Sequence, residues 1–252
     1  MSLDVIGALV LGAICTADIA VLIGLAVIRP AAKVVAFVIA AAWISLVFTI
    51  GALGGFAPGV TGPFPAPVIP FLILMIGGLV SWFAWPAFRS ALLSVPLWAL
   101  IGVNAFRIAG VCFLILHHQG RLAAPFAISA GWGDIITGLA AIPLAAAAGW
   151  RGKLPRWLLT AWTAFGTLDL VVAIILGALS APGTPFQVFT EAPGTVVMGT
   201  LPWVGIPALL VPLYLMTLLT IAVRMRTVGA RRDTAGDRFD NRPPDTPIRQ
   251  AA

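Results

Sequence analysis

Apolar residues run along this chain in blocks long enough to cross a bilayer, and polar residues gather in the breaks between them. A helix rises 1.5 Å per residue, so about twenty consecutive apolar residues span the hydrocarbon core. Windows of that length predict seven helices, over residues 5–28, 34–53, 68–85, 97–116, 125–148, 157–179 and 196–223. Arg29 and Pro30 stop the first. The second gives way to GGFAPGVTGPFPAP, a Gly/Pro-rich run that cannot continue a helix. The piece WPAFRSALLSVP, between the third and fourth, is expected at the membrane interface. The seventh window exceeds one crossing and holds Pro202, Pro207 and Pro212, so its start is expected to be re-entrant or interfacial. Beyond Val223 apolar residues all but vanish, which divides the chain into a transmembrane domain over 1–223 and a basic, disordered tail over 224–252.

Composition leads to the same class. At 60% hydrophobic and 10% charged residues, with a mean hydropathy of +1.05, the chain lies outside the soluble range. The expected fold is therefore all-α, a polytopic transmembrane helix bundle with the lipid bilayer as its solvent. The opening MSLD lacks the basic start of a cleavable signal, so the first helix is read as retained. Cys15 and Cys112 fall inside apolar windows and read as buried free thiols.

Charge then sets an orientation. With seven crossings, one side of the membrane holds Arg121 alone. The other holds Arg29, Lys33, Arg89, Arg151, Lys153, Arg156 and the arginines of the tail. The positive-inside rule places the N-terminus outside and the C-terminus inside, and Trp82, Trp85, Trp98, Trp150 and Trp157 form an aromatic belt at the inner boundary. The net charge of +6 is thus an insertion signal, and no nucleic-acid partner is expected.

Arg107 belongs to neither side. Counted inward at 1.5 Å per residue from the outer helix ends, it lies about 14 Å deep, with Asp134 at about 12 Å, Asp169 at about 15 Å, Asn104 at about 18 Å and Asp18 at about 20 Å. Four helices contribute these groups to one layer, and ionisable residues there are costly unless they face an interior. Arg107, Asp134, Asp169, Asp18 and Asn104 therefore make a candidate substrate or proton site. Asp134 lies on a stripe of small residues, Ala127, Gly131, Gly138 and Ala141, which lets a neighbouring helix approach closely. Asp169 repeats the G-x-x-D text, as GTLDLVVA beside GWGDIITG. Three aspartates against one arginine leave excess negative charge, so Arg107 is expected to pair with Asp134 or Asp169 in a titratable or cation-accepting site.

Other chemistries are missing. His117 and His118 are adjacent, so on a helix they point about 100° apart and cannot face one haem iron together. There is no H-E-x-x-H, no G-x-S-x-G elbow and no phosphate-binding glycine loop. The last helix has no lysine for a retinal Schiff base. No cofactor, metal or catalytic residue is expected, and an enzymatic role has no residues behind it.

The text QGRLAAPFAISAGWGDIITG, the W-x-x-x-G-x-x-D run from Trp162 to Asp169 and the proline-rich last span resemble an uncharacterised family of bacterial multi-pass membrane proteins with an AGxGDxxxG motif. The likeness covers roughly residues 95–225. It implies a bacterial inner-membrane protein and transfers no catalytic residue. Two roles remain. The leading one is a small transporter or proton/cation-linked permease acting on a small molecule or ion at the Asp/Arg layer. The alternative is a non-enzymatic membrane subunit or a lipid- or pigment-binding protein, with a second copy or a membrane partner, in which the layer is structural.

Overall fold

The computed structural model describes residues 2–240 apart from 61, 66 and 153, with backbone alone at 151 and over 227–240. Its long elements are α1 (Leu3–Leu25), α2 (Pro30–Ala52), α3 (Val68–Ala84), α4 (Pro86–Ser94), α5 (Leu97–Gly102), α6 (Val111–His118), α7 (Ala124–Arg151), α8 (Arg156–Leu179) and α9 (Val211–Asp240). No strand occurs among the described residues. Pro30, Pro86 and Pro125 open their helices, where a missing N–H costs nothing. Gly152 ends α7 in the left-handed conformation that a β-carbon would penalise.

Six helices are long and apolar enough to cross a membrane, and a seventh span appears if α3 and α4, bent by 102° at Trp85-Pro86, are one broken crossing. The fourth predicted window is not a uniform helix. Between α5 and α6 it tightens into a 3-10 stretch, Val103–Gly110. The last window is continuously helical only from Ile206, through a π turn that leads into α9. The ten residues before it, 196–205, are a short 3-10 helix, Val196–Gly199, followed by turns, with Met198, Trp203 and Val204 buried, so this irregular backbone is covered by protein. The α9 backbone stays helical to Asp240, past the point where the tail was expected to begin, and residues 241–252 lie outside the described residues.

Successive spans alternate in direction, and contacts at each end show it. At one end Arg121, between α6 and α7, pairs with Asp4 at the start of α1 (2.9 Å), whose carboxylate also accepts from Trp203 Nε1 (2.8 Å). At the other, the Val27 N–H donates to Ser94 Oγ and Arg224 donates to the Val95 carbonyl. The core lies between the fourth span, α7, α8 and α9, with α1 closing one side. Outside it, α2 fully buries only Val47, half-buries Trp43, Ile44 and Phe48 against the bundle, and leaves Val34, Val35, Val38 and Ile39 on an exterior suited to lipid.

Candidate functional site

The site is built on α7, which packs against the fourth span with one face and against α8 with another. The 3-10 stretch explains how the fourth span presents its polar groups. Three residues per turn superimpose positions i and i+3. Asn104, Arg107 and Gly110 are spaced that way, and with Val103 they are its buried residues. Gly110 then provides the gap for α7: a β-carbon there would press on Asp134 and on the Gly131 carbonyl, 3.2 Å away.

Arg107, only 2% exposed, uses all three guanidinium nitrogens. Nε donates to Asp134 Oδ1 at 2.7 Å, Nη2 donates to Asp169 Oδ2, and Nη1 donates to the Gly166 carbonyl at 3.2 Å. The planar fork is suited to meeting acceptors from two helices at once, which a lysine's point charge could not do. Two carboxylates share one guanidinium, so the pairing is not a choice between Asp134 and Asp169. Removing such charges from water costs several kcal/mol per ion, and only close pairing with additional hydrogen bonds offsets it.

Both motifs serve this geometry. In α8 the W-x-x-x-G-x-x-D run lies on one face: Trp162 Nε1 donates to the Thr137 carbonyl at 3.1 Å, Gly166 offers its carbonyl to Arg107, and Asp169 takes the charge. In α7, Gly131 faces Leu114 of the fourth span while Gly133 faces Asp169 of α8. The G-x-G-D text thus clears space on two sides of one helix.

Asp18 is apart from the arginine. It is fully buried, and neither carboxylate oxygen has a hydrogen-bond partner. The group facing it is the Tyr214 hydroxyl of α9, which is buried as well. Asn104 is tied to α9 as well, its Nδ2 donating to Thr217 Oγ1 at 3.2 Å and to its own Leu100 carbonyl at 3.0 Å. Three of the five candidates therefore meet in one ion-pair cluster, and the other two flank it against α9. Sequence reasoning missed Tyr214, although the chain has one tyrosine in all and it falls in an apolar span.

A cavity of about 130 Å3 leads to this cluster. Asp134 is the only ionisable side chain among its described lining residues, and that side chain is 16% exposed against 7% for Asp169. Phe113 and Phe126, edge to face at 5.4 Å, flank it together with Leu170 and Ala173. The cavity extends to the loops around Gly59 and Gly183, where Phe64 stacks on Phe186 at 6.1 Å. In size it resembles cavities that take one benzene-sized group, roughly 150 Å3.

The remaining polar candidates lie elsewhere. His117 Nδ1 is 3.0 Å from the Leu122 carbonyl, His118 is exposed, and Glu191 is exposed in its loop. No group of three His, Cys, Asp or Glu side chains that could hold a metal occurs among the described residues.

A profile for a domain of unknown function, DUF8737, matches residues 64–226, which include the arginine cluster, the cavity floor and Tyr214 but not α1 or α2. No curated protein and no solved structure matches the chain.

Proposed function

Because this chain belongs to the DUF8737 family, whose shared domain has no assigned function, we propose its role from the geometry alone: it is a small cation- or proton-linked permease that binds its substrate at Asp134. One observation carries the reading. Asp134 belongs to a buried ion cluster and also forms the charged floor of a mostly apolar cavity. Two carboxylates on one guanidinium leave a net charge of minus one when both are ionised, and a cation or a proton balances it. The aromatic faces of Phe113 and Phe126 favour a cation with an apolar surface.

The reading places the protein in a bacterial cytoplasmic membrane with seven crossings, N-terminus outside and C-terminus inside, and a basic tail on the inner side. The scarcity of Lys and Arg on the Arg121 side supports that orientation, and the AGxGDxxxG text at Ala130–Gly138 supports the bacterial source. The cavity then opens outward, through the loops around Gly59 and Gly183.

Tetramethylammonium is a fitting probe, because it is permanently charged, apolar at its surface and small. Proteoliposomes holding the full chain take it up, and Asp134→Asn abolishes uptake while the protein still inserts. Uptake unchanged in Asp134→Asn removes the reading. A second reading has its own support: Arg107 is satisfied by acceptors on two helices and sealed from solvent, as in a structural lock. Under it, wild-type protein takes up no cation, and Asp134→Asn lowers thermal stability or partner retention only.

A further inference from the structure

The cavity that ends on Asp134 is charged at its floor and apolar along its walls. Phe126, Ala130 and Asp134 line it from one face of α7, so it follows that helix for about 12 Å at 1.5 Å per residue. Leu170, Ala173 and Gly177 of α8 accompany it. The hydroxyls among its described lining residues are Thr184 and Thr195, in the loop after α8. Each already donates to a backbone carbonyl, Thr184 to Ala181 at 3.0 Å and Thr195 to Gly177 at 3.1 Å. A molecule in this space therefore meets one strong polar partner, and meets it at one end.

That partner has an oxygen to spare. Asp134 Oδ1 accepts from Arg107 Nε at 2.7 Å, whereas Oδ2 accepts no hydrogen bond among the described residues. The side chain is 16% exposed where it lines the cavity. Hydrogen bonds to an ionised acceptor are roughly twice as strong as neutral ones, so a donor that arrives with its own positive charge gains most here. A quaternary ammonium has no such donor; a protonated amine does.

The same geometry excludes zwitterions. All three guanidinium nitrogens of Arg107 already donate, to Asp134, Asp169 and the Gly166 carbonyl, and no other cationic side chain lines the cavity among the described residues. The carboxylate of an amino acid would lie in apolar surroundings without a partner, at high cost. A second ammonium on the same molecule would find no second acid on the walls. What remains is one ammonium and one apolar group, and a space of about 130 Å3 sets that group at benzene size. The rings of Phe113 and Phe126 offer it faces and edges to pack on.

We propose that the ligand of this site is a protonated monoamine bearing a single small aryl or alkyl group, whose N–H donates to Asp134 Oδ2 while the apolar group lies against Phe113 and Phe126. The inference rests on Asp134 being the substrate-binding group, as above, and narrows the substrate from organic cations to amines that keep an N–H and carry no acid.

Equilibrium dialysis of the full chain in lipid nanodiscs tests it, with labelled N,N-dimethyl-2-phenylethylammonium as the probe. The N,N,N-trimethyl analogue replaces the N–H by a methyl group, and N,N-dimethylphenylalanine adds a carboxylate. The dimethyl compound binds at least about tenfold more tightly than the trimethyl one, the order of a hydrogen bond to a charged group. The carboxylated compound does not compete. Asp134→Asn abolishes binding, and so does Ala173→Leu, which fills the space and leaves the ion cluster in place. Equal affinity for the dimethyl and trimethyl compounds overturns the proposal, as do absence of binding by the dimethyl compound, competition by the carboxylated one, or undiminished binding in Ala173→Leu. Tetramethylammonium uptake by proteoliposomes separates the two readings. Uptake that persists while the dimethyl and trimethyl compounds bind equally keeps the permease and removes the amine, whereas the tenfold preference without any uptake keeps the amine site and removes transport.

Discussion

Gly133 of α7 lies directly against the Asp169 carboxylate of α8, so closely that a β-carbon at 133 would occupy the position of Asp169 Oδ1. The contact explains why a glycine sits inside a helix, where it weakens the helix by roughly 0.5–1 kcal/mol relative to alanine. The absent side chain lets Asp169 reach Arg107 from the far side of α7.

Gly133→Ala therefore improves local helix propensity and still destabilises the protein. The methyl group pushes Asp169 off Arg107, and overpacking of this kind costs about 1–3 kcal/mol before the lost ion pair is counted. Thermal unfolding in detergent checks this, with Gly149→Ala as the control, since a β-carbon there meets only Trp98 at 3.7 Å. Equal melting temperatures for the two variants refute the packing argument.

Arg107→Met fills similar volume but leaves two buried carboxylates without a cation. Breaking a buried pair from one side costs about 3–5 kcal/mol, because the remaining charge is uncompensated. The triple variant Arg107→Met, Asp134→Asn, Asp169→Leu removes the charges together and recovers much of that loss. Chemical denaturation of the three proteins, wild type, single and triple, measures the difference. A triple variant no more stable than the single one contradicts the charge argument.

The long apolar helices were legible in the sequence because a bilayer-length helix needs a long apolar run, and GGFAPGVTGPFPAP marked a break by its glycines and prolines alone. The 3-10 stretch was not, since VNAFRIAG carries no proline and reads as part of one apolar run, although its three-residue turn is what sets Asn104 over Arg107 on the buried side. Depth along the helix put Arg107, Asp134 and Asp169 in one layer, and the structure joins them. Depth put Asp18 there too, but rotation about α1 decides which neighbour a residue faces, and that rotation turns Asp18 to Tyr214. Burial of residues 196–205 was equally hidden, because Trp203 reaches Asp4 through a contact nearly two hundred residues away in the chain.

Trp162 anchors α8 to α7 through one hydrogen bond, from Nε1 to the Thr137 carbonyl. That carbonyl lies inside α7, so the bond is an addition to the helical pattern. Trp162→Phe retains most of the packing and loses about 1 kcal/mol, the net worth of a typical hydrogen bond. A melting-temperature shift no larger than for the neighbouring exposed Phe165→Leu change would assign the tryptophan to packing alone.

The Asp4–Arg121 pair contributes far less than the interior one, although its 2.9 Å distance is similar. Its side chains are 43% and 35% exposed, and solvent-exposed pairs are worth about 0–1 kcal/mol and weaken with salt. Arg121→Gln should therefore move the unfolding midpoint slightly in dilute buffer and not measurably in concentrated salt. A large, salt-independent loss would mean that Arg121 supports the fold through the segment around Trp203.

Ala173 offers a test of the cavity that leaves every ionisable group in place. It lines the cavity from α8, one helical turn beyond Asp169, and is only partly buried. Ala173→Leu adds three carbons to a space of about 130 Å3, enough to exclude a compact organic cation without displacing Asp134 from Arg107. The added side chain buries apolar surface worth roughly 0.8 kcal/mol per CH2, which offsets some of the strain of filling the space. Stability should stay close to wild type while tetramethylammonium uptake is lost. Retained uptake in a well-folded Ala173→Leu protein would show that the cation does not reach the arginine cluster by this route.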